Sequence, residues 1–134
     1  FTGCTEELFR FLEGVGLDPQ VGYLHALRPG RPALALDLME ELRPGVADRL
    51  ALTLVNRRQV QADDFEALPG GAVFLTDKGR RTVIAAYQKR KAESVRHRLL
   101  RRSIPIALVP HVQARVLARH LRGDVEEYLP FVLR

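Results

Sequence analysis

The sequence predicts an all-α protein, a mainly helical bundle with one short β-hairpin as its only strands. Three observations carry this. Apolar residues recur every three to four positions through most of the chain, the spacing that gives a helix one buried stripe. A lone Pro69-Gly70-Gly71 turn stands between two short apolar runs, as in a hairpin. No internal repeat or low-complexity linker divides the 134 residues, a length that suits one domain with its own core. With 46% apolar residues, the chain has enough material to fold.

Taken in order, Thr5 to Leu12 has helical spacing, with Thr5 or Thr2 as cap and Gly14 and Gly16 to end it. Leu17-Asp18-Pro19 is a turn, Tyr23 to Leu27 a short apolar segment containing His25, and Arg28-Pro29-Gly30-Arg31-Pro32 a stiff basic loop. Pro32 suits the first position of the next helix, Ala33 to Leu42. There Leu34, Leu38 and Leu42 form one stripe, and Arg43-Pro44-Gly45 is expected to close it. Val46 to Arg57 reads as a second amphipathic helix on Val46, Leu50 and Leu54. After the hairpin at 65–75, Thr76 or Asp77 caps a long helix from Lys78 to Arg96, with Val83, Ile84 and Tyr87 inside. Ile104-Pro105-Ile106 interrupts, and Pro110 to Leu121 is a further helix on Val112, Val116 and Leu117. Gly123 ends it, and Asp124 to Tyr128 can make one last turn.

Charge is distributed unevenly. Residues 78–122 hold thirteen Lys or Arg against one acid, Glu93, whereas residues 1–77 hold seven against twelve. A solvated basic face is the plain explanation, but such clustering is also what a sequence-independent grip on a nucleic-acid backbone requires. Arg80, Arg81, Arg90 and Lys91 are the leading contacts for double-stranded DNA, and the scarcity of aromatics there, Tyr87 alone, argues against base stacking. His111 and His120 read as structural or phosphate-facing residues. Cys4 is the only cysteine, which excludes an internal disulfide and a cysteine zinc site and fits a reducing cytoplasm. Its acidic neighbours disfavour a thiolate nucleophile. No apolar run is long enough to span a bilayer, so no membrane partner is expected, and no leader peptide is visible. The first residue is Phe1 rather than Met, as expected of a processed or cut chain.

The residues with chemical potential are His25, Asp37 and Glu40. Asp37 and Glu40 stand three apart on one helix and share a face, where two carboxylates can hold a hard divalent cation, Mg²⁺ or Mn²⁺. Two acids alone also describe an ordinary helix surface. What adds weight is their setting among Leu and Ala, and His25 just upstream across a proline-stiffened loop that can fold back onto them. Arg28 and Arg31 in that loop could hold DNA phosphates against the metal by bidentate guanidinium contacts.

At greater length the pattern resembles a known family. Val15-Gly16-Leu17-Asp18-Pro19, Val21-Gly22-Tyr23-Leu24-His25 and Arg28 through Pro44 are similar to the catalytic-domain motif of the universal CRISPR-associated integrase, the first of the numbered CRISPR-associated proteins. Leu54-Val55-Asn56-Arg57, Gly71 through Thr76, and Gln113 through Asp124 continue it in order. The resemblance implies CRISPR spacer acquisition in antiviral defence by a metal-dependent endonuclease and integrase, with a homodimer and a small CRISPR-associated partner protein. It implies a metal held by a Glu, by His25 and by the helix acid Asp37, with Glu40 at a further acidic position. The Glu lies upstream of the helix that begins near Phe1. Residues 1–134 are thus expected to form a single helical C-terminal metal- and DNA-binding domain without that ligand or the N-terminal β-rich dimerisation domain, and to be inactive alone. The alternative is a non-catalytic DNA-binding module, because Val73 through Arg80 resembles the wing-to-helix stretch of winged-helix regulators.

Overall fold

The computed structural model describes residues 2–133, with side chains from Thr5 onward. The side chains of Thr2 and Cys4, a possible cap and a disfavoured nucleophile, lie outside the described residues. Helix α1 (Thr2–Gly14) begins early enough that Thr5 lies inside it, its hydroxyl donating to Met39 Sδ at 3.6 Å rather than capping. Its end is a Schellman turn: Gly16 adopts φ 81°, its amide donates to the Glu13 carbonyl, and Leu17 N–H reaches back to Leu12. Leu8 and Leu12 on α1 pack against Leu34, Ala35 and Leu38 of α2 (Ala33–Leu42) and against Ala114 and Leu117 of α5 (Val109–Leu121). These three helices enclose the main core.

The structure departs from the expected closure at Arg43-Pro44-Gly45. The chain widens there into a π-helical turn, Arg43–Asp48, before narrowing into α3 (Arg49–Asn56). Pro44 has no N–H to give the Glu40 carbonyl, and its ring crowds that oxygen, so the regular ladder cannot continue. The single helix expected from Val46 to Arg57 is therefore a π turn followed by a shorter α-helix. Val46 and Leu54 are buried as expected, while Leu52 and Val55 are exposed.

The first hairpin pairs β1 (Phe65–Ala67) antiparallel with β2 (Val73–Leu75), Phe65 opposite Leu75. Thr76 then caps α4 (Asp77–Ala92), accepting from the Gly79 amide at 3.1 Å. The expected helix to Arg96 stops at Ala92. A second hairpin follows, β3 (Ser94–His97) with β4 (Arg102–Pro105), so the hairpin at 65–75 is not the only strand pair. Its inward residues, Val95, His97 and Ile104, alternate with exposed Arg and Ser, and the run of arginines hides that period of two. Ile84, placed inside α4 from the sequence, is half exposed, and residues 124–127 form bends rather than a last helical turn, with Tyr128 in irregular backbone. Among the described residues no helix is long and apolar enough to cross a membrane.

One polar cluster joins these parts. The Glu41 carboxylate on α2 accepts from the Tyr128 hydroxyl, the Phe131 amide and the Gln113 side-chain amide of α5. Gln113 Oε1 also accepts from His97 Nε2–H at 3.0 Å and its side-chain amide donates to the Leu129 carbonyl, and the His97 ring stacks on Phe131 with centroids 5.7 Å apart. Burial raises the Glu41 pKa against the opposing pull of these donors, and burial followed by the adjacent carboxylate raises that of Tyr128. Tyr128 therefore keeps its proton and gives it to the hydrogen bond.

Removing core volume should cost stability where packing is closed. Leu12 is fully buried, so Leu12→Ala is expected to lower unfolding free energy by about 2–5 kcal/mol. The exposed Leu52→Ala should change it by about 0.5 kcal/mol or less. Urea midpoints for the two variants, each compared with the parent chain, check the contrast.

Candidate functional site

The loop between α1 and α2 is tied to α2 at two points. At its start, the Pro19 carbonyl accepts the Leu34 N–H, one of the amides at the α2 N-terminus that lack a partner within the helix. Further on, three successive amides converge on one carboxylate. Asp37 Oδ2 accepts from Tyr23 N–H at 2.6 Å and Leu24 N–H at 3.0 Å, and Oδ1 accepts from His25 N–H at 3.0 Å. The His25 ring adds a fourth contact, Nδ1 to Oδ1 at 2.6 Å. The Asp37 side chain is 8% exposed and that of His25 25%.

This approach depends on Gly22. A Cβ there would lie 2.7 Å from Ala33 Cβ and 2.8 Å from Asp37 Oδ2, inside van der Waals contact with both. Glycine is the residue that lets the backbone come close enough for its amides to reach the carboxylate. In the sequence the signal is a Gly three residues ahead of the segment's His, but nothing there says what it approaches.

Four donors determine the state of Asp37. Burial pushes its pKa up, but the Leu24 amide, the His25 ring and the amides of Tyr23 and His25 together outweigh burial and hold it below the ordinary 3.8. An ionised carboxylate only accepts hydrogen bonds, so His25 Nδ1 must carry a proton. In the neutral ring the lone pair is then on Nε2, which has no protein partner among the hydrogen bonds of the described residues. A carboxylate paired with one ring nitrogen in this way fixes the orientation and tautomer of an imidazole, an arrangement that also occurs where the other nitrogen binds a metal.

The structure thus brings His25 and Asp37 into contact and gives Glu40 a different setting. Glu40 is exposed, with Arg43 Nη1 3.4 Å from its Oε2. Among the described residues no group of three or more His, Cys, Asp and Glu side chains is gathered to hold an ion. As a test of fit for Mg²⁺ or Mn²⁺, Asp37 has both oxygens occupied, while His25 Nε2 and the loosely paired Glu40 remain as donors. An imidazole nitrogen and a carboxylate suit such a cation as part of its ligand set.

The cationic residues divide into two groups. Arg28, Arg80 and Arg81 are exposed and Arg31 is half-buried, and none has an ion pair among the described residues. Arg90 and Lys91 are engaged internally. Arg90 pairs with Glu93 and reaches the Gly45 carbonyl at 3.4 Å, and Lys91 pairs with Glu7 at 2.6 Å and lies 5.6 Å from the Tyr87 ring centroid. His111 packs edge-on to Phe11 with ring centroids 5.1 Å apart, and His120 Nδ1 lies 3.3 Å from the Val125 carbonyl, so both serve the fold. Tyr23, Leu24 and Leu27, an apolar segment by composition, are 66–79% exposed because the segment's backbone, not its side chains, is what α2 holds.

Two outcomes follow from this geometry. Gly22→Ala should detach the loop, shifting the amide resonances of Tyr23, Leu24 and His25 together while leaving those of α5 in place. For pH, a lowered carboxyl pKa contributes stability that is complete above the ordinary Asp value and is lost as pH falls through the folded one. The same three amide resonances should therefore move as one, with a midpoint below 3.8, and Asp37→Asn should abolish that titration.

The chain matches the family model described as CRISPR associated protein Cas1 over residues 2–89. It is 67% identical over 122 residues to CRISPR-associated endonuclease Cas1 1 of Moorella thermoacetica, covering 91% of this chain and 36% of that protein. It is 58% identical over 131 residues to CRISPR-associated endonuclease Cas1 2 of Rhodospirillum rubrum, covering 98% and 38%. The solved Cas1 protein of Thermotoga maritima superposes with a TM-score of 0.80 at 30% identity, over 91% of this chain and 37% of that one. The chain thus spans a little over a third of the length of these relatives. Strand β2 passing into α4, the stretch that resembled a winged-helix element, lies within the matched region and is part of this fold. A match over most of the chain, at this identity and in this order of elements, means that the chain belongs to the Cas1 family of CRISPR-associated proteins.

Proposed function

We propose that this chain carries part of the active site of a metal-dependent DNA endonuclease and integrase that inserts captured DNA during CRISPR spacer acquisition. The observation that carries the proposal is His25 held by Asp37 with Nε2 turned away from it, on a helix that also bears Glu40. Mg²⁺ or Mn²⁺ would be held by His25 through Nε2 and by Glu40, and would supply Lewis-acid polarisation of a phosphoryl oxygen and activation of the attacking oxygen. Asp37 would fix the orientation of the His25 ring and keep the proton on Nδ1. Arg28 and Arg31, from the loop that carries His25, would grip the phosphates beside the reacting one. Arg80 and Arg81 would hold double-stranded DNA through its backbone without regard to sequence. The remaining metal ligand, the Glu implied by the family resemblance, would come from outside these residues, as would the dimer contacts. A small CRISPR-associated partner protein would complete the assembly, in the cytoplasm.

Two protein donors give a hard cation little hold, so the chain alone should bind Mn²⁺ weakly and turn over no DNA. Joined to the upstream part of a Cas1 protein, it should gain Mn²⁺-dependent cleavage and strand joining. In that setting His25→Ala and Glu40→Ala should abolish turnover, and Asp37→Asn should cost about 10–100-fold through misplacement of the ring. Turnover indifferent to all three substitutions would remove the site. Strong Mn²⁺-dependent cleavage by the chain alone would refute its dependence on an outside ligand.

A further inference from the structure

Basic residues that the sequence places in the acidic half meet basic residues of the other half in a single cleft. Residues 49–60 contain Arg49, Arg57 and Arg58 and no acid, within a half of the chain whose overall balance is negative. In the fold, α3 lies beside α4, and the cleft of about 410 Å³ between them is lined by Arg49 and Arg57 from one side and by Lys89 and Arg90 from the other. The one carboxylate in the lining, Glu93, is already paired with Arg90. Arg49, Arg57 and Lys89 are exposed and have no ion pair among the described residues, and Arg90 keeps a buried Nε without a hydrogen-bond partner. Cations repel one another when gathered so closely. Two facing walls that present them with no free acid make a concentrated positive potential suited to a polyanion.

We infer that the α3–α4 cleft is a second DNA-backbone site, separate from the His25 loop, in which Arg49, Arg57 and Lys89 contact successive phosphates of one strand. Arg90 is the cleft's fixed floor, held by Glu93 and the Gly45 carbonyl. Gln59, at the same cleft, adds a neutral donor for a phosphate oxygen. The inference rests on the proposed DNA-binding role and extends it to residues outside the basic block at 78–122. A duplex would then be held at two places, by Arg80 and Arg81 and by this cleft.

Fluorescence anisotropy of the full chain with a short labelled duplex, titrated at several salt concentrations, tests the inference. Reversing Arg49 and Arg57 together to Glu should weaken binding about tenfold or more and reduce the slope of log affinity against log salt by about 1.8, the loss of two phosphate contacts. Arg49→Gln with Arg57→Gln removes the charges while keeping long polar side chains. It should give the same slope change if the reversal variant fails to melt like the parent. A parent-like slope in the double variants, with Arg80→Glu and Arg81→Glu still lowering it, would overturn the cleft and leave the DNA reading intact. No binding by the parent chain would overturn both.

Discussion

The architecture turns on the hydrogen bonding of one part-buried carboxylate, that of Glu41. A charge taken out of water requires donors in fixed positions, and here they come from α5, from the C-terminal segment and, through Gln113, from the second hairpin. Each donor constrains the rotation of α2 about its own axis. With Leu34 and Leu38 in the core on the same side, that rotation has one solution, and Asp37 is thereby aimed at the incoming loop. Breaking a buried network of this kind leaves several groups unsatisfied at once, so α2 is held more firmly than its ten residues could hold themselves.

Asp37 repeats the same physics one turn earlier, toward the loop that enters α2. Its partners are mostly backbone amides, so the hold depends on the close approach that Gly22 allows and not on the side chains of residues 23 and 24. The aromatic and aliphatic side chains at 23, 24 and 27 are consequently released outward, beside the one imidazole that the carboxylate orients. The π turn after Glu40 marks where the regular helix ends next to the candidate ligands, a position at which such turns recur in functional sites.

The helices around the main core were largely legible because they bury a stripe with the expected period, as Leu8 with Leu12 and Leu34 with Leu38 do. The second hairpin was not. Four-residue strands hold too few alternations to register, and arginines occupy the outward positions. Glu41 was passed over although it stands three residues beyond Leu38, on the apolar stripe itself. An acid at such a position is the sign of a polar anchor, but Asp37 and Glu40 stand among the same Leu and Ala residues, so the local pattern does not single it out. The spacing of His25 and Asp37 was read correctly as proximity, but not as one residue orienting the other. That distinction depends on where four hydrogen atoms point.

What the sequence determined by itself is what short-range physics dictates: five amphipathic helices, the turn at Pro69-Gly70-Gly71, the stop at Gly16, and a basic second half. Those follow from side-chain periodicity, φ preference and charge count, all local quantities. The tertiary structure alone decided which of the three carboxylates on α2 would hold the loop, which would face solvent and which would join α5 and the C-terminal segment. It also decided that Arg90 and Lys91 serve internal pairs while Arg49 and Arg57 join Lys89 across a cleft. The reason is that a side chain's charge is set by its own chemistry, but its partners are set by whichever segments packing brings within a few ångströms of it.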